Sequence, residues 1–278
     1  MSIVAILGAG ALGGTLAHAV AARGRVGEVR LIDPEGRIAE GKALDILQSS
    51  PVEQWNTRVG AATSFTAAAG ADVIVLADLV GTGEIAGETG LAIVRQIARL
   101  DTSAPLLFAG GLQRDLMALA IGELHVARRR LVGSAPLALE SAVRALAAAL
   151  IDASPSDLAI GVAGVQPRDA VIGWDAATAF NQPIAAVLAP HHLAALSGKL
   201  SALWPPAPYA LGSAGARVAE ALALGSRRRF TCFAAIDTDA GRGLVAAVPV
   251  DLVKGGIGKV LEPALSRHER TAFENGLR

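Results

Sequence analysis

The sequence predicts a doubly wound α/β domain with a parallel sheet, followed by an α+β domain. Short apolar segments alternate with helical patterns through residues 1–133, as expected for strands covered by helices on both faces. Beyond residue 133 this alternation stops, and two apolar segments near the end of the chain resemble paired antiparallel strands. A length of 278 residues suits one large or two moderate domains, and we expect domains over 1–133 and 134–278.

The first half contains five segments that are apolar enough to be buried strands, with helical spacing of apolar residues between them. The predicted strands are 2–7, 28–33, 71–76, 105–109 and 130–132. The predicted helices are 12–22, 38–48, 91–100 and 116–124.

The second half is less regular. Consecutive prolines in the segment WPPAP (204–208) predict a loop, because proline ends a helix. Helices are predicted over 136–153, 187–203, 214–224 and 262–275. Strands are predicted over 158–165, 230–237 and 243–249, the last two joined through residues 239–241.

The composition excludes several classes of partner. The 25 Lys+Arg residues balance the 25 Asp+Glu residues, so charge gives no reason to expect nucleic acid or an anionic membrane surface. No apolar run reaches the roughly 18–20 residues that span a bilayer. The first apolar segment leads into glycines instead of forming a signal peptide. We therefore expect a soluble cytoplasmic protein.

The metal-binding and redox residues are sparse. The single cysteine, Cys232, excludes an intramolecular disulfide and a multi-thiolate site, and its apolar neighbours predict a buried position. The adjacent His191 and His192 cannot face one site on a helix. No metal site is predicted.

A glycine motif follows the first predicted strand and begins the first helix. The run GAGALG places glycine at Gly8, Gly10 and Gly13, with Ala11 and Leu12 between the last two. In a G-x-G-x-x-G motif, these glycines permit a tight turn, the approach of a pyrophosphate, and close packing of helix on strand. The helix N-terminus supplies free N–H groups and a positive dipole end. The motif indicates dinucleotide binding.

The second predicted strand ends in Asp33, and 33 − 13 gives the 20-residue spacing expected of the acid that binds the adenosine ribose. A carboxylate there disfavours a 2′-phosphate, so NAD is favoured over NADP, although Arg37 lies close enough to weaken this preference. The alternative is a strand–helix turn that has lost its nucleotide.

Several segments resemble the L-lactate/malate dehydrogenase family. They are residues 8–52, 133–150, 154–165, 171–174 and 248–277. The resemblance covers both predicted domains. It implies an NAD-binding Rossmann half, an α+β half, and a cleft between them for a small-molecule substrate. It also adds Ala77 to the cofactor-binding residues and implies a homodimer packed through the 38–48 helix, or a homotetramer.

The residues that perform the family's chemistry are mostly absent at the matching positions. The proton-donating histidine becomes Gln166, and no histidine lies between residues 129 and 190. Loss of general acid–base catalysis typically costs about 10²–10⁴-fold in rate. The histidine's aspartate becomes Glu140. The arginine that clamps the substrate carboxylate becomes Val143, and Arg144 is rotated by about 100° from that position on a helix.

Two further departures concern the substrate loop and the supporting asparagine. The family's mobile loop carries an arginine, whereas residues 78–88 here contain none and carry three acids, which would repel an anionic substrate. The family's asparagine matches Gly111-Leu112.

Three hypotheses follow. The first is an NAD(H)-binding relative that is degenerate for 2-hydroxy acid oxidation, acting as a cofactor sensor or an inactive subunit. The second is an active NAD-dependent oxidoreductase on a less anionic alcohol or carbonyl compound, with Gln166, Arg168, Glu140 and Arg144 as candidate catalytic residues. The third is a protein that no longer binds nucleotide. Arg168 with Asp169 also fits a solvated loop pair, and Glu140 with Arg144 fits an ordinary i,i+4 ion pair.

Overall fold

The computed structural model describes residues 2–100, 102–238 and 241–278, and one large sheet organises them. In chain order the strands are β1 (Ile3–Leu7), β2 (Glu28–Ile32), β3 (Arg58–Ala62), β4 (Val73–Leu76), β5 (Asp78–Leu79), β6 (Gly83–Glu84), β7 (Leu106–Phe108), β8 (Leu131–Gly133), β9 (Leu158–Ala159), β10 (Val162–Val165), β11 (Asp169–Ile172), β12 (Thr178–Ala179), β13 (Gln182–Pro183), β14 (Arg229–Thr238), β15 (Gly241–Val253) and β16 (Gly256–Val260).

Helices cover this sheet on both sides. They are α1 (Ala11–Ala22), α2 (Gly36–Glu53), α3 (Gly87–Ala98), α4 (Arg114–Gly122), α5 (Ala135–Ala149), α6 (Pro190–Gly198), α7 (Pro208–Leu224) and α8 (Arg267–Gly276). Short 3-10 turns occur at Phe65–Ala68, Arg128–Arg130, Pro155–Asp157, Ile184–Ala186 and Leu200–Leu203.

The first half has the strand order of a Rossmann domain. The strands run β3-β2-β1-β4-β7-β8, and each neighbouring pair is parallel. The order reverses between β1 and β4, which places a crevice at the carboxyl ends of these two strands, where open α/β sheets bind their ligands. The predicted fold class is therefore confirmed, and the glycine motif lies at this crevice.

The second half continues the same sheet with antiparallel strands. β14 pairs with β8 where Phe233 meets Gly133, and β15 and β10 extend the sheet beyond β14. The predicted β14–β15 ribbon is confirmed, although Asp239 and Ala240 of its predicted connection lie outside the described residues. A second apolar core forms around α5 entirely from residues beyond 133. The division at residue 133 stays a prediction.

Some predicted elements were wrong in extent or kind. Segment 158–165 forms two short strands in different sheets, because β9 pairs with β12 and β10 pairs with β15 after the break at Ile160 and Gly161. The predicted loop 78–88 contains the β5–β6 hairpin. Segment 187–203 forms α6 and a separate 3-10 turn, and the helix predicted from 214 begins at Pro208.

The last helix begins at Arg267 instead of residue 262. Ser266 caps it by accepting from the Glu269 amide, and the Glu269 carboxylate accepts from the Ser266 amide in return. The strands β3 and β16 were not predicted, because they are partly exposed and carry glycine and charge instead of a continuous apolar run.

The environment of Cys232, the arrangement of possible metal ligands and the lengths of the helices can be described directly. Cys232 is buried in β14, as predicted, and burial raises the pKa of its thiol. Among the described residues, no group of histidine, cysteine and acid side chains is arranged to hold a metal ion. The helices in the described part of the chain are all too short or too polar to cross a bilayer.

Candidate functional site

The glycine motif forms a tight turn between β1 and α1. Gly8 has φ +104°, a left-handed conformation that favours glycine, and its amide donates to Ile32 O at 2.7 Å. A side chain at Gly13 would overlap the Gly8 carbonyl, so helix and turn pack at backbone distance. Ala11 and Leu12 begin α1. The loop therefore has the local geometry that the sequence predicts for a dinucleotide cradle.

Asp33 follows β2 and lies beside this loop, as predicted, but its carboxylate is turned inward. The side chain is 1% exposed. Its Oδ2 accepts from the Ala9 amide at 2.8 Å and the Val80 amide at 3.0 Å, and its Oδ1 accepts from the Glu35 amide at 2.9 Å. Asp33 thus joins three loops at the carboxyl edge of the sheet. Its contact with a ribose stays a prediction.

The sequence analysis missed the residue that fills the cradle. Asp78 directly follows Ala77, whose amide donates to Leu7 O at 2.9 Å. The Asp78 carboxylate accepts from the Gly13 amide at 2.7 Å and the Leu12 amide at 3.1 Å. An anion of the chain itself therefore caps the N-terminus of α1. The available signal was an acid placed immediately after the strand that adjoins the glycine loop.

The hairpin that starts at Asp78 is tied down at its far end by a second acid. The Glu84 carboxylate accepts from the amides of Gly111 and Leu112 at 3.1 and 2.8 Å. Burial raises the pKa of Glu84, the two backbone hydrogen bonds oppose this, and the nearby Asp78 charge adds to it. Two acids that were expected to repel an anionic substrate are instead bonded to backbone N–H groups.

Gln113 is a further polar residue that the sequence analysis missed. It is fully buried, and its side-chain oxygen accepts from the Gly110 amide at 2.9 Å. Its side-chain nitrogen donates to Ala77 O and Ile85 O, both at 3.0 Å. Gln113 therefore holds the base of the hairpin against the ends of β4 and β7.

The fit of a dinucleotide to these residues has two parts. The glycines leave the backbone approachable, which suits a pyrophosphate at the helix N-terminus. The space beside Gly10 is taken by Asp78, because a Cβ on Gly10 would overlap the Asp78 carboxylate. In this conformation the cradle has no room for a diphosphate.

The residues around Gln166, at positions matched to the family's catalytic residues, lie in the second half of the chain. Gln166 is 5% exposed, and neither its side-chain oxygen nor its side-chain nitrogen has a hydrogen-bond partner. Val143 is fully buried in the second apolar core. Arg168 and Asp169 are exposed at the β10–β11 turn. The structure therefore does not join these residues into one polar site.

Glu140 makes no hydrogen bond to Gln166. Its carboxylate accepts from the Thr231 hydroxyl at 2.5 Å and lies 3.9 Å from Arg144, so the predicted i,i+4 ion pair is confirmed. Burial raises the pKa of Glu140, while the hydrogen bond from Thr231 and the charge of Arg144 oppose the rise. Glu140 and Arg144 line a cavity of about 350 Å³. This pair is the one polar cluster that the predicted catalytic residues form in the described part of the chain.

The sequence has clear relatives. A family model described as the lactate/malate dehydrogenase NAD-binding domain matches residues 2–100. The malate dehydrogenase of Roseobacter denitrificans is 27% identical and the alignment covers 99% of this chain and 93% of that protein. The malate dehydrogenase of Thermomicrobium roseum is also 27% identical, over 97% of this chain and 93% of that protein.

Solved structures share the whole fold. The malate dehydrogenase of Salinibacter ruber matches with a TM-score of 0.85 and 23% identity, covering 99% of this chain and 93% of that chain. A Cryptosporidium parvum lactate dehydrogenase, crystallised with lactic acid and nicotinamide adenine dinucleotide, matches with a TM-score of 0.86 and 18% identity, covering 99% and 94%. Residues 2–100 thus match the NAD-binding domain of lactate/malate dehydrogenases, and the whole chain has the fold of the solved lactate and malate dehydrogenases.

Proposed function

We propose that this protein binds NAD(H) and does not catalyse the 2-hydroxy acid oxidation of its relatives. The observation that carries the proposal is the difference between the glycine loop and the surroundings of Gln166. The glycine loop keeps the backbone turn of a dinucleotide site, although Asp78 fills it in this conformation. Gln166, in contrast, stands where the family's proton donor is expected and has no hydrogen-bond partner. An amide does not exchange a proton near neutral pH, so Gln166 cannot act as a general acid.

Substrate binding is weakened for a separate reason. Val143 is fully buried among apolar side chains and offers no charge to a substrate carboxylate. The segment from Asp78 to Glu84 forms a short hairpin that contains no arginine. Loss of one preorganised electrostatic group typically costs about 3–4 kcal/mol of transition-state stabilisation. We infer that the protein acts as a sensor of the cofactor or as an inactive subunit.

The test is a fluorescence titration of purified protein with NADH, with NADPH as the comparison. We expect saturable NADH binding that is weaker for NADPH, and no oxidation of lactate or malate in the presence of NAD. Absence of binding at millimolar NADH would contradict the first half of the proposal. Turnover of lactate or malate by the pure protein would contradict the second half.

A second candidate is an oxidoreductase acting on a less anionic alcohol or carbonyl compound. Glu140 favours it, because a buried carboxyl with a raised pKa beside a cavity is suited to hold and transfer a proton. This candidate predicts that some alcohol or carbonyl compound changes the NADH level, and that Glu140→Gln abolishes the change. Asp115→Asn is the control, because its side chain is 81% exposed and lies outside the candidate catalytic residues. Activity that survives Glu140→Gln would count against Glu140 as the proton carrier.

We further propose a homodimer, alone or within a tetramer, that packs through α2. This helix buries Ala39, Ala43 and Ile46 against the sheet while Leu44 and Leu47 remain 56% and 41% exposed on another face. Exposed apolar side chains grouped on one helix are typical of an interface. Light scattering should give twice the chain mass or more, and Leu44→Glu should shift the mass toward the monomer. A wild-type protein that is monomeric at high concentration would contradict this assembly.

A further inference from the structure

Asp78 occupies the nucleotide cradle with both its side chain and its backbone. The side-chain oxygens accept from the Leu12 and Gly13 amides, and the Asp78 carbonyl accepts from the Gly10 amide at 2.9 Å. Asp78 therefore uses three backbone N–H groups of the glycine loop and the first turn of α1.

The glycines of the loop make this contact possible. A Cβ on Gly8 would overlap the Asp78 backbone, and a Cβ on Gly10 would overlap the Asp78 carboxylate. The residue types that allow a pyrophosphate to approach in a dinucleotide site here allow an aspartate to approach. The cradle and Asp78 are complementary in shape.

The contact is also electrostatically favourable. A carboxylate at a helix N-terminus interacts with the positive end of the helix dipole and with N–H groups that have no partner within the helix. A phosphate uses the same donors in the same place. Since each amide has one hydrogen, the Leu12 and Gly13 amides cannot serve Asp78 and a diphosphate together.

The hairpin is held at three points around the crevice. Asp78 caps α1, Val80 donates to the Asp33 carboxylate at 3.0 Å, and Glu84 accepts from Gly111 and Leu112. The Ile85 amide closes the hairpin by donating to Ala77 O at 2.9 Å. These contacts hold the Asp78 backbone beside the glycine loop, so its carboxylate is kept within reach of the Leu12 and Gly13 amides.

We propose that the β5–β6 hairpin is a built-in competitor of the nucleotide, in which the Asp78 carboxylate takes the position of the NAD(H) diphosphate. The inference rests on the proposed binding of NAD(H). The cofactor binds only to the fraction of molecules whose cradle is open, and the apparent dissociation constant rises in inverse proportion to that fraction. If Asp78 fills the cradle nine-tenths of the time, the dissociation constant is raised about tenfold.

The experiment compares NADH binding by the wild type, Asp78→Ala and Asp78→Asn. We expect Asp78→Ala to lower the dissociation constant about tenfold and Asp78→Asn to lower it by a smaller factor, because asparagine keeps the shape and loses the charge. Glu88→Ala is the control, because Glu88 is an exposed acid of the same segment outside the cradle. Its dissociation constant should equal that of the wild type.

The outcomes separate this inference from the proposed function. Equal NADH affinity in the wild type and both Asp78 variants would overturn the competitor and leave NAD(H) binding intact. No NADH binding by any folded variant would overturn NAD(H) binding itself, and the competitor with it.

A measurement without nucleotide checks the contact directly. In ¹⁵N–¹H spectra, the Leu12 and Gly13 amide protons should move upfield in Asp78→Asn, because a charge-assisted hydrogen bond is lost. Glu88→Ala should leave both signals in place. Unchanged Leu12 and Gly13 signals in Asp78→Asn would overturn the proposed occupancy of the cradle, even if Asp78→Ala were too unstable to study.

Discussion

Two buried glutamines, Gln113 and Gln166, differ in every hydrogen bond. Gln113 lies at the carboxyl edge of the parallel strands, and its side chain makes three hydrogen bonds to backbone groups. Gln166 lies at the position matched to the family's catalytic histidine, and its side chain makes none. Both side chains are at most 5% exposed. The difference therefore lies in their partners and not in their burial.

The comparison extends to the surroundings of each residue. Near Gln113, the acids Asp33, Asp78 and Glu84 each accept at least two backbone N–H groups. Near the second corner, Glu140 bonds to Thr231 and leaves Gln166 without a partner. The nucleotide edge is a satisfied polar network that stabilises the fold. The region around Gln166 is buried, but the Gln166 side chain makes no hydrogen bond there.

The largest expected effect is at Gln113. Gln113→Met keeps the length of the side chain but removes the partner of the Gly110 amide and of the Ile85 carbonyl, whereas the Ala77 carbonyl still accepts from the Ile85 amide. Unpaired buried polar groups cost about 1–3 kcal/mol each, and we expect a loss of about 3 kcal/mol in the free energy of unfolding. Urea denaturation followed by circular dichroism measures it. A loss below about 0.5 kcal/mol would show that the network is not stabilising.

The second effect concerns Asp33. Asp33→Asn replaces one acceptor oxygen by an NH₂ group. This group is a donor, so it cannot accept the backbone N–H groups that donate to that oxygen in the wild type. We expect a loss of about 2 kcal/mol in unfolding free energy. Asp115→Asn, at an 81% exposed side chain, is the control and should change it little. Equal losses in the two variants would break the proposed role of Asp33.

At Gln166 we expect a substitution to raise the free energy of unfolding instead of lowering it. Gln166→Met removes two buried groups that have no partner, and the free energy of unfolding should rise by about 1 kcal/mol. The same substitution at Gln113 is the matched control, since it is expected to destabilise. A loss of more than about 1 kcal/mol in Gln166→Met would indicate that Gln166 has partners in solution and would remove the contrast.

The smallest effect is a pH dependence at Glu140. Because burial raises its pKa in the folded protein, the native state favours the protonated carboxyl. Its contribution to stability is full below the ordinary pKa of glutamate and is lost as the pH rises through the raised pKa of the folded state. The unfolding free energy of the wild type minus that of Glu140→Gln should therefore fall as the pH rises above the ordinary pKa of glutamate, about 4.3. A difference that is constant or rises with pH would contradict the raised pKa.

Much of the first half was predictable because its signals are local. A continuous apolar run followed by a glycine turn predicts β1 and α1, and the spacing to Asp33 predicts the end of β2. β3 was missed because its side chains are intermediate or exposed, so its sequence lacks an apolar run. Position in a sheet edge, and not local propensity, makes this segment a strand.

The contact of Asp78 with the glycine loop could not be predicted from the sequence, for a physical reason. Asp78 contacts amides 65 and 66 residues earlier in the chain, and no local pattern records a contact of that separation. The sequence alone places Gln166 and Val143 at the positions of the family's histidine and arginine. The burial and the hydrogen bonds of these two side chains follow only from the packed structure. Whether the Gln166 side chain finds hydrogen-bond partners depends on neighbours from other helices and strands.

We propose that the protein binds NADH but does not transfer its hydride to a 2-oxo acid. In the most direct test, the protein is first saturated with NADH, as judged by fluorescence. It is then mixed with pyruvate or oxaloacetate in a stopped-flow instrument, and the NADH absorbance is followed. Our account predicts bound NADH whose absorbance stays constant after mixing. A loss of NADH equal to the enzyme concentration within seconds would contradict it, because hydride transfer would then proceed without the family's histidine and arginine.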